Sequence, residues 1–380
     1  MKKWISLFLI LTTGFLFCAP SAAAPIAGAP SAPSVSAKSA ILINGDTGDV
    51  YWEKNADEPM GMASTTKLMT ALVITELLTP ETVISIPEEA VGVEGSSIYL
   101  VAGERLTVYQ LLCALLLSSA NDAATALAIA ADGSEEAFSR RMNQKAYALG
   151  LKNTRFTNPH GLYDEDHYTT ARELSILGAE VLRQPLLRSI VSTYKMTIPH
   201  DSVPDQRLLI NHNKLLRTYE GAIGMKTGFT KKTGRTLVSA AERNGMTLIC
   251  VTLNAPDDWR DHRAMLDYGF ACYEKVIFAS AGAFSFQLPI TGGEKESVTL
   301  TNVRELSLYL PKIRPSHRYT VEGTGHFRFA PIEAGDALGR VLVECSGQTV
   351  TSVLIAAEAV PAKTPRRKTL WERLLSFFTT

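Results

Sequence analysis

The sequence predicts an α+β protein: an antiparallel sheet flanked by helices, followed by a small all-β domain and a C-terminal amphipathic helix. Three observations predict it. Residues 38–280 read as strand, several helices, strands and helix again. That order suits helices packed on an antiparallel sheet rather than a repeating βαβ unit. Residues 281–360 are short strand-like runs separated by Gly, Pro and Asn, as in a separate small β domain. In residues 361–380, Arg366, Arg367 and Lys368 precede a helix with Leu370, Trp371, Leu374, Leu375 and Phe378 on one face.

At the N-terminus, Lys2 and Lys3 precede an apolar run over 4–11, and Ala22-Ala23-Ala24 stands before Pro25. This is the order of a secretory signal over residues 1–24, cleaved after Ala24. The run is short for a spanning helix, and Phe15-Leu16-Phe17 before Cys18 is too bulky for lipoprotein cleavage. Residues 25–37, rich in Ala, Pro and Ser, read as a flexible leader. Export is therefore expected. The tail is too short to cross a bilayer but suited to lie on one, which would hold the chain at the outer face of the cytoplasmic membrane. The alternative is a helix docked on its own protein.

The 380 residues are 46% hydrophobic, enough for a substantial core. The 38 basic side chains are balanced by 38 acidic ones, so no charge excess points to a nucleic-acid partner. Losing Lys2 and Lys3 leaves the mature chain near −2. Cys113, Cys250, Cys272 and Cys345 are widely spaced without a metal-ligand pattern. Cys113 and Cys250 lie in apolar runs, as buried small hydrophobes do. No His-x-His or His-Glu-x-x-His occurs, so neither a metal nor a cofactor is expected.

Within the larger domain, "SAILINGDTGDVYWEKN" gives two apolar stretches around residues 44–49, a hairpin signal. Helical periodicity runs from Ser64 to Leu78 and stops at Thr79-Pro80. Thr107 and Gln110 have capping-box spacing and open a second helix. It breaks at residues 118–122 and resumes beyond; that polar break argues against a membrane span over 111–131. Another helix spans Glu135 to Leu149 and is closed by Gly150; Thr170 and Glu173 open one more. From Gly221, "GAIGMKTGFT", "RTLVSAAERNG" and "MTLICVTLNAP" read as successive strands, with Asn244-Gly245 a tight turn. "RDHRAMLDYGFACYEKV" returns to helix.

Three short motifs occur in order: Ser64-x-x-Lys67, Ser119-x-Asn121 and Lys226-Thr227-Gly228. Ser-x-x-Lys alone is weak, since a chain of this length holds it by chance roughly once or twice. A second copy stands at Ser192 and Lys195, in a β-branched stretch that reads as strand. There the spacing sets the two side chains on opposite faces. On a helix, by contrast, i and i+3 are neighbours, so the Lys67 amine reaches the Ser64 hydroxyl. A serine becomes nucleophilic when a base takes its proton. A lysine is a base only when burial or a nearby cation, such as Lys226, lowers its pKa. Ser64 N–H can form half of an oxyanion hole, with Phe229 N–H as the other half. Ser119 is a candidate proton relay, and Asn121 a candidate orienter of Lys67 or donor to a substrate amide. Lys226 and Thr227 offer a cation and a hydroxyl to a substrate carboxylate. The bland readings are helix punctuation for Ser119 and Asn121, and a strand entering a turn at Gly228. The ordered triple favours catalysis.

These motifs, with "GSSIYLVAGERLTV", "LLLSSANDAATALA", "NPHGLYDEDHYTTARE" and "LDYGF", resemble the secreted serine-type D-alanyl-D-alanine carboxypeptidases, the low-molecular-weight penicillin-binding proteins. The likeness runs from about residue 37 to 360. It implies a β-lactamase/transpeptidase-like fold over 38–280, a β-rich domain over 281–360 and a membrane-binding tail over 361–380. It implies Ser64 as the acylated nucleophile and Lys67 as proton acceptor, with Ser119 and Asn121 carrying the middle motif. Lys226 would contact the substrate carboxylate. The implied partners are a peptidoglycan stem peptide ending in D-Ala-D-Ala and β-lactams as inhibitors. His160 in "PHGL" reads as structural. The family's arginine after the third motif has no clear counterpart, because neither Arg260 nor Arg263 stands at the expected spacing. The rival readings are a β-lactamase, a D,D-transpeptidase and a non-catalytic wall-binding protein. Between the second and third motifs there is no Glu-x-x-Leu-Asn of the kind class A β-lactamases use.

Overall fold

The structure, a computed structural model, describes residues 30–200, 206–312, 316–364 and 371. The expected signal segment over 1–24 and most of the expected amphipathic tail over 361–380 lie outside these residues.

The first hairpin forms as its sequence predicts. Strands β1 (Ser39–Asn44) and β2 (Val50–Lys54) flank a turn in which Asn44 Oδ1 accepts from the amides of Asp46 and Thr47, a side-chain-closed turn. Helix α1 (Lys67–Leu77) begins one turn later than its periodicity suggests, because residues Ala63–Thr66 form a tighter 3₁₀ turn. Short strands β3 (Val83–Ser85) and β4 (Arg105–Thr107) pair across a long loop. Helix α2 (Val108–Leu117) has both halves of its capping box: Thr107 Oγ1 accepts from Gln110 N, and Gln110 Oε1 from Thr107 N. The break then separates it from α3 (Asn121–Asp132).

Helix α4 (Glu135–Ala148) is followed by Gly150 at φ +77°, the left-handed conformation that favours glycine. Thr170 caps α5 (Ala171–Arg183), but the carboxylate of Glu173 goes to Asn153 N and Thr154 Oγ1, fixing a loop instead of closing the box. The second Ser-x-x-Lys copy corrects the strand reading: Ser192 is the last residue of α6 (Pro185–Ser192), and Lys195 begins β5 (Lys195–Ile198). Pro185 at the helix start and buried Leu187, Ile190 and Val191 at helical spacing outweigh local β-branching. The Ser192 hydroxyl donates to Arg188 O.

Strand β5 pairs with β6 (Arg207–Ile210), and a short α7 (Leu215–Thr218) leads to β7 (Ala222–Thr230), β8 (Gly234–Arg243) and β9 (Met246–Leu253). The β8–β9 turn has Asn244 and Gly245 both at positive φ. The main sheet is antiparallel in the order β2-β1-β9-β8-β7. Alternation assigns its faces. Ile41, Ile43, Val238, Ala240, Ile249 and Val251 join the core with α1–α6. Leu42, Ala241, Leu248 and Cys250 pack with Met265, Leu266 and Phe270 of α8 (Asp258–Cys272). All of β9 is buried.

Helix α8 stops at Cys272, short of the predicted span. Tyr273–Ala279 is strand β10 instead, rich in β-branched and aromatic residues. The β region continues with β11 (Ser285–Thr291), β12 (Ser297–Asn302), β13 (Leu306–Pro311), β14 (His317–Glu322), β15 (Arg328–Phe329), β16 (Ala337–Cys345) and β17 (Gln348–Ala356). Six strands form one sheet, β14-β16-β17-β12-β11-β15, while β10 pairs with β13. Leu288, Leu300, Val341, Val343 and Leu354 form a separate core. Its contacts with the larger domain include Tyr51 stacked on Tyr273 at 3.6 Å, and Tyr309 OH donating to Asp46 Oδ2 at 2.8 Å and to Gly245 O at 3.3 Å.

One buried histidine ties acid stability to this sheet. His262 of α8 bonds Ser239 of β8 and Thr252 of β9, and burial lowers its pKa from 6.5 to about 3. The unfolded chain takes up a proton here below pH 6.5, whereas the folded chain does not until far lower pH. The stabilisation is therefore complete above 6.5 and declines as pH falls, by roughly 1.4 kcal/mol per pH unit. Urea midpoints measured from pH 7.5 to 4.5 are expected to drop, and His262→Gln to flatten part of that slope. An unchanged slope in the variant would count against His262 as its source.

Candidate active site

Ser64 sits in the 3₁₀ turn, held from both sides. Ala63 adopts φ +48°, unusual for a residue with a Cβ. Hydroxyls pin the turn's carbonyls: Thr65 and Thr236 donate to Met62 O, and Thr66 donates to Ala63 O. Two glycines allow other backbones to close in. A Cβ on Gly161 would lie 2.0 Å from Ala63 O, and one on Gly228 would lie 2.9 Å from Ser64 N. Gly228 is therefore in mid-strand in β7 and marks a close approach, not the turn of the bland reading.

Lys67, at the start of α1, is fully buried. Its Nζ lies 3.0 Å from Ser64 Oγ, 2.6 Å from Asn121 Oδ1 and 2.6 Å from His160 O. Two of these three partners are carbonyl oxygens, which can only accept. A neutral amine satisfies both with its two N–H bonds and turns its lone pair to the Ser64 hydroxyl. Burial pushes the Lys67 pKa well below the ordinary lysine range, and the Lys226 charge adds to this, while Asp122 opposes it. The arrangement can take a proton from Ser64.

The break between α2 and α3 places the second motif. Ser119 has φ +59°, and its Oγ accepts from Lys226 Nζ at 2.9 Å; Lys226 also donates to Thr227 O. Burial lowers the Lys226 pKa to about 7. The Asn121 side-chain amide donates to Glu94 O at 2.5 Å, leaving its oxygen for Lys67. Next to it, buried Asp122 accepts from Ser97 Oγ and from the amides of Ile98 and Leu100. That bonding holds the 96–100 loop beside the site.

Ser64, Ser119, Thr227 and Gly228 line one cleft of about 350 Å³, together with Ser96, His212, Lys214, Phe229, Arg235 and Trp259. The seven residues singled out by motif thus converge: Lys67 joins Ser64 to Asn121, Lys226 joins Ser119 to the β7 strand, and Thr227 and Gly228 form the wall. His160, read as a structural residue near the site, holds Lys67 through its carbonyl, a backbone role that no side-chain pattern signals. Ser96, His212, Lys214, Arg235 and Trp259 were not singled out. Ser96 enters from the loop that Asp122 anchors. Arg235 comes from β8, directly opposite Phe229 in register, and pairs with Asp258 at 3.0 Å. Arg260 is exposed, and neither it nor Arg263 is among the residues lining this cleft. The Nε of Arg235 and the Nε1 of Trp259 are buried without a hydrogen-bond partner among the described residues, so donors in the wall stand uncommitted there.

A family model described as D-alanyl-D-alanine carboxypeptidase matches residues 26–257. The D-alanyl-D-alanine carboxypeptidase DacF of Bacillus subtilis is 32% identical over 369 residues, 94% of each chain. DacA of Haemophilus influenzae, also a D-alanyl-D-alanine carboxypeptidase, is 30% identical over 338 residues, 84% of each chain. Penicillin binding protein 5 from Haemophilus influenzae superposes with a TM-score of 0.67 at 28% identity, covering 87% of this chain and 99% of that one. With the three motifs meeting in one cleft, these matches are decisive: the chain belongs to the D-alanyl-D-alanine carboxypeptidase family of peptidases.

Proposed function

We propose that this chain is an exported serine D,D-carboxypeptidase that removes the terminal D-alanine from peptidoglycan stem pentapeptides and is acylated by penicillins. The observation that carries the reading is the buried Lys67 amine, 3.0 Å from Ser64 Oγ with two carbonyl oxygens as its other partners. Ser64 Oγ attacks the carbonyl carbon of the penultimate D-alanine while its proton passes to Lys67 Nζ. The oxyanion forms against the N–H groups of Ser64 and Phe229. Collapse breaks the C–N bond; Ser119 relays a proton from Lys67 to the departing amine, releasing D-alanine. Water then attacks the ester, giving the shortened peptide and free Ser64. Lys226, Thr227 and Arg235 bind the terminal carboxylate, with Gly228 admitting the strand to Ser64.

In this reading residues 1–24 are the export signal and 25–37 a leader. Residues 38–280 carry the catalysis, and 281–360 raise it above the membrane. Residues 361–380 attach the chain to the membrane's outer surface.

Mass spectrometry of a pentapeptide ending in D-Ala-D-Ala is expected to show loss of one alanine, and fluorescent penicillin to label the protein but not Ser64→Ala. An intact peptide with rapid penicillin turnover would indicate a β-lactamase. Absence of labelling would indicate a non-catalytic wall binder, and release of D-alanine only with an amine acceptor a transpeptidase. Lys67→Ala is expected to slow acylation by roughly 10²–10⁴.

Asn121→Asp sets a carboxylate against Lys67 Nζ and favours its charged form. The acid limb of the acylation profile is expected to move to higher pH. A profile that only dropped in height would argue against Lys67 as base.

For Arg235→Ala, kcat/KM for the free-carboxylate peptide is expected to fall roughly tenfold to a hundredfold, an ion-paired hydrogen bond being worth about 1.5–3 kcal/mol. The same peptide with an amidated C-terminus should be unaffected; equal losses on both would remove Arg235 from carboxylate recognition.

A further inference from the structure

Away from the cleft, residues 325–329 form a continuously exposed run in the β domain. It holds two large apolar side chains, Phe327 (48% exposed) and Phe329 (67%), whose rings meet edge to face with centroids 5.2 Å apart. Exposed aromatics grouped in this way mark interaction surfaces. Their position in the fold identifies the occupant. Phe329 of β15 pairs with Thr291 at the end of β11, and the next residue, Gly292, accepts at its carbonyl from Lys363 N. Gly293 and Ala362 form a β-bridge, as do Ile332 and Val360. The chain therefore leaves the β domain one residue away from the aromatic pair. Next along the chain come Arg366, Arg367, Lys368 and the amphipathic segment from Leu370 to Phe378.

We infer that Phe327 and Phe329 are a second membrane anchor: the 325–329 loop inserts its two rings into the interface of an anionic bilayer beside the tail. This rests on the membrane-attachment reading of the tail and extends it to the folded domain. Phenylalanines on an apolar face bury into the boundary between headgroups and acyl chains, and a single weak anchor binds reversibly, so stable attachment takes two signals. Around the loop, Arg328 stands between the two phenylalanines in sequence and donates to Gly323 O, while Lys295 pairs with Glu358. Arg328 keeps its positive charge beside the rings, and further attraction to anionic lipid comes from the basic residues 366–368. Two contacts from one end of the β domain would also fix its orientation, which a single attachment point does not.

The test compares the mature full-length chain with Phe327→Ala/Phe329→Ala, a chain ending at residue 364, and the two changes combined. Each is titrated with phosphatidylglycerol-containing vesicles, with D-alanine release in solution as the folding control. The double substitution is expected to weaken partitioning at least tenfold with solution activity unchanged. An indole introduced by Phe329→Trp should be quenched by brominated lipid. Partitioning equal to wild type, or an unquenched indole, would overturn the loop anchor while leaving the tail reading intact. No vesicle binding by the wild-type chain would overturn both. Self-association in the absence of lipid, lost on the double substitution, would assign the rings to a second copy of the chain and overturn the proposal.

Discussion

A lysine amine withdrawn from water cannot easily keep its charge, and the organisation of the larger domain reflects that constraint. Lys67 faces inward from α1 because the helix buries it beneath the α2–α3 break and the loop that carries His160. Each of its partners comes from a different stretch of chain, and each is an oxygen. The surrounding core supplies the low polarity that favours the neutral amine, and the carbonyl oxygens accept from its N–H bonds so that none is left an unsatisfied donor. A second buried lysine, Lys226, adds its charge to the same effect. The sheet, the helices and the two close-approach glycines position this pair of amines around one hydroxyl.

Much of this was legible in the sequence because local chemistry and global fold agree there. The capping box of α2, the Asn244-Gly245 turn and the apolar runs of β1, β8 and β9 each depend on a few neighbouring residues, and each appears where those residues predict. The readings that failed involve competition. Around Ser192, β-branched residues favoured strand, but helical spacing of buried apolar groups prevailed. Beyond Cys272, an apparent helical continuation gave way to β10, which pairs with a partner more than thirty residues downstream. A pairing that distant leaves no local trace.

The site shows the same division. Seven residues were visible because their residue types stand at recognisable spacings. The His160 carbonyl was invisible because every residue has a carbonyl, and only tertiary packing selects one. Arg235 was missed for another reason: it belongs to the strand after the third motif and reaches the cleft through cross-strand register with Phe229. Sequence distance from the motif did not indicate that neighbourhood.

β7 lies last in the sheet order, so among the described residues one of its sides has no strand neighbour. Such a border ordinarily invites pairing with other molecules, and soluble proteins screen it. At Gly228 the 3₁₀ turn carrying Ser64 and Thr65 packs on the strand too closely for even a methyl group. A larger residue there would push the Ser64 hydroxyl away from β7, so the bare backbone sets how near the turn and the strand can stand.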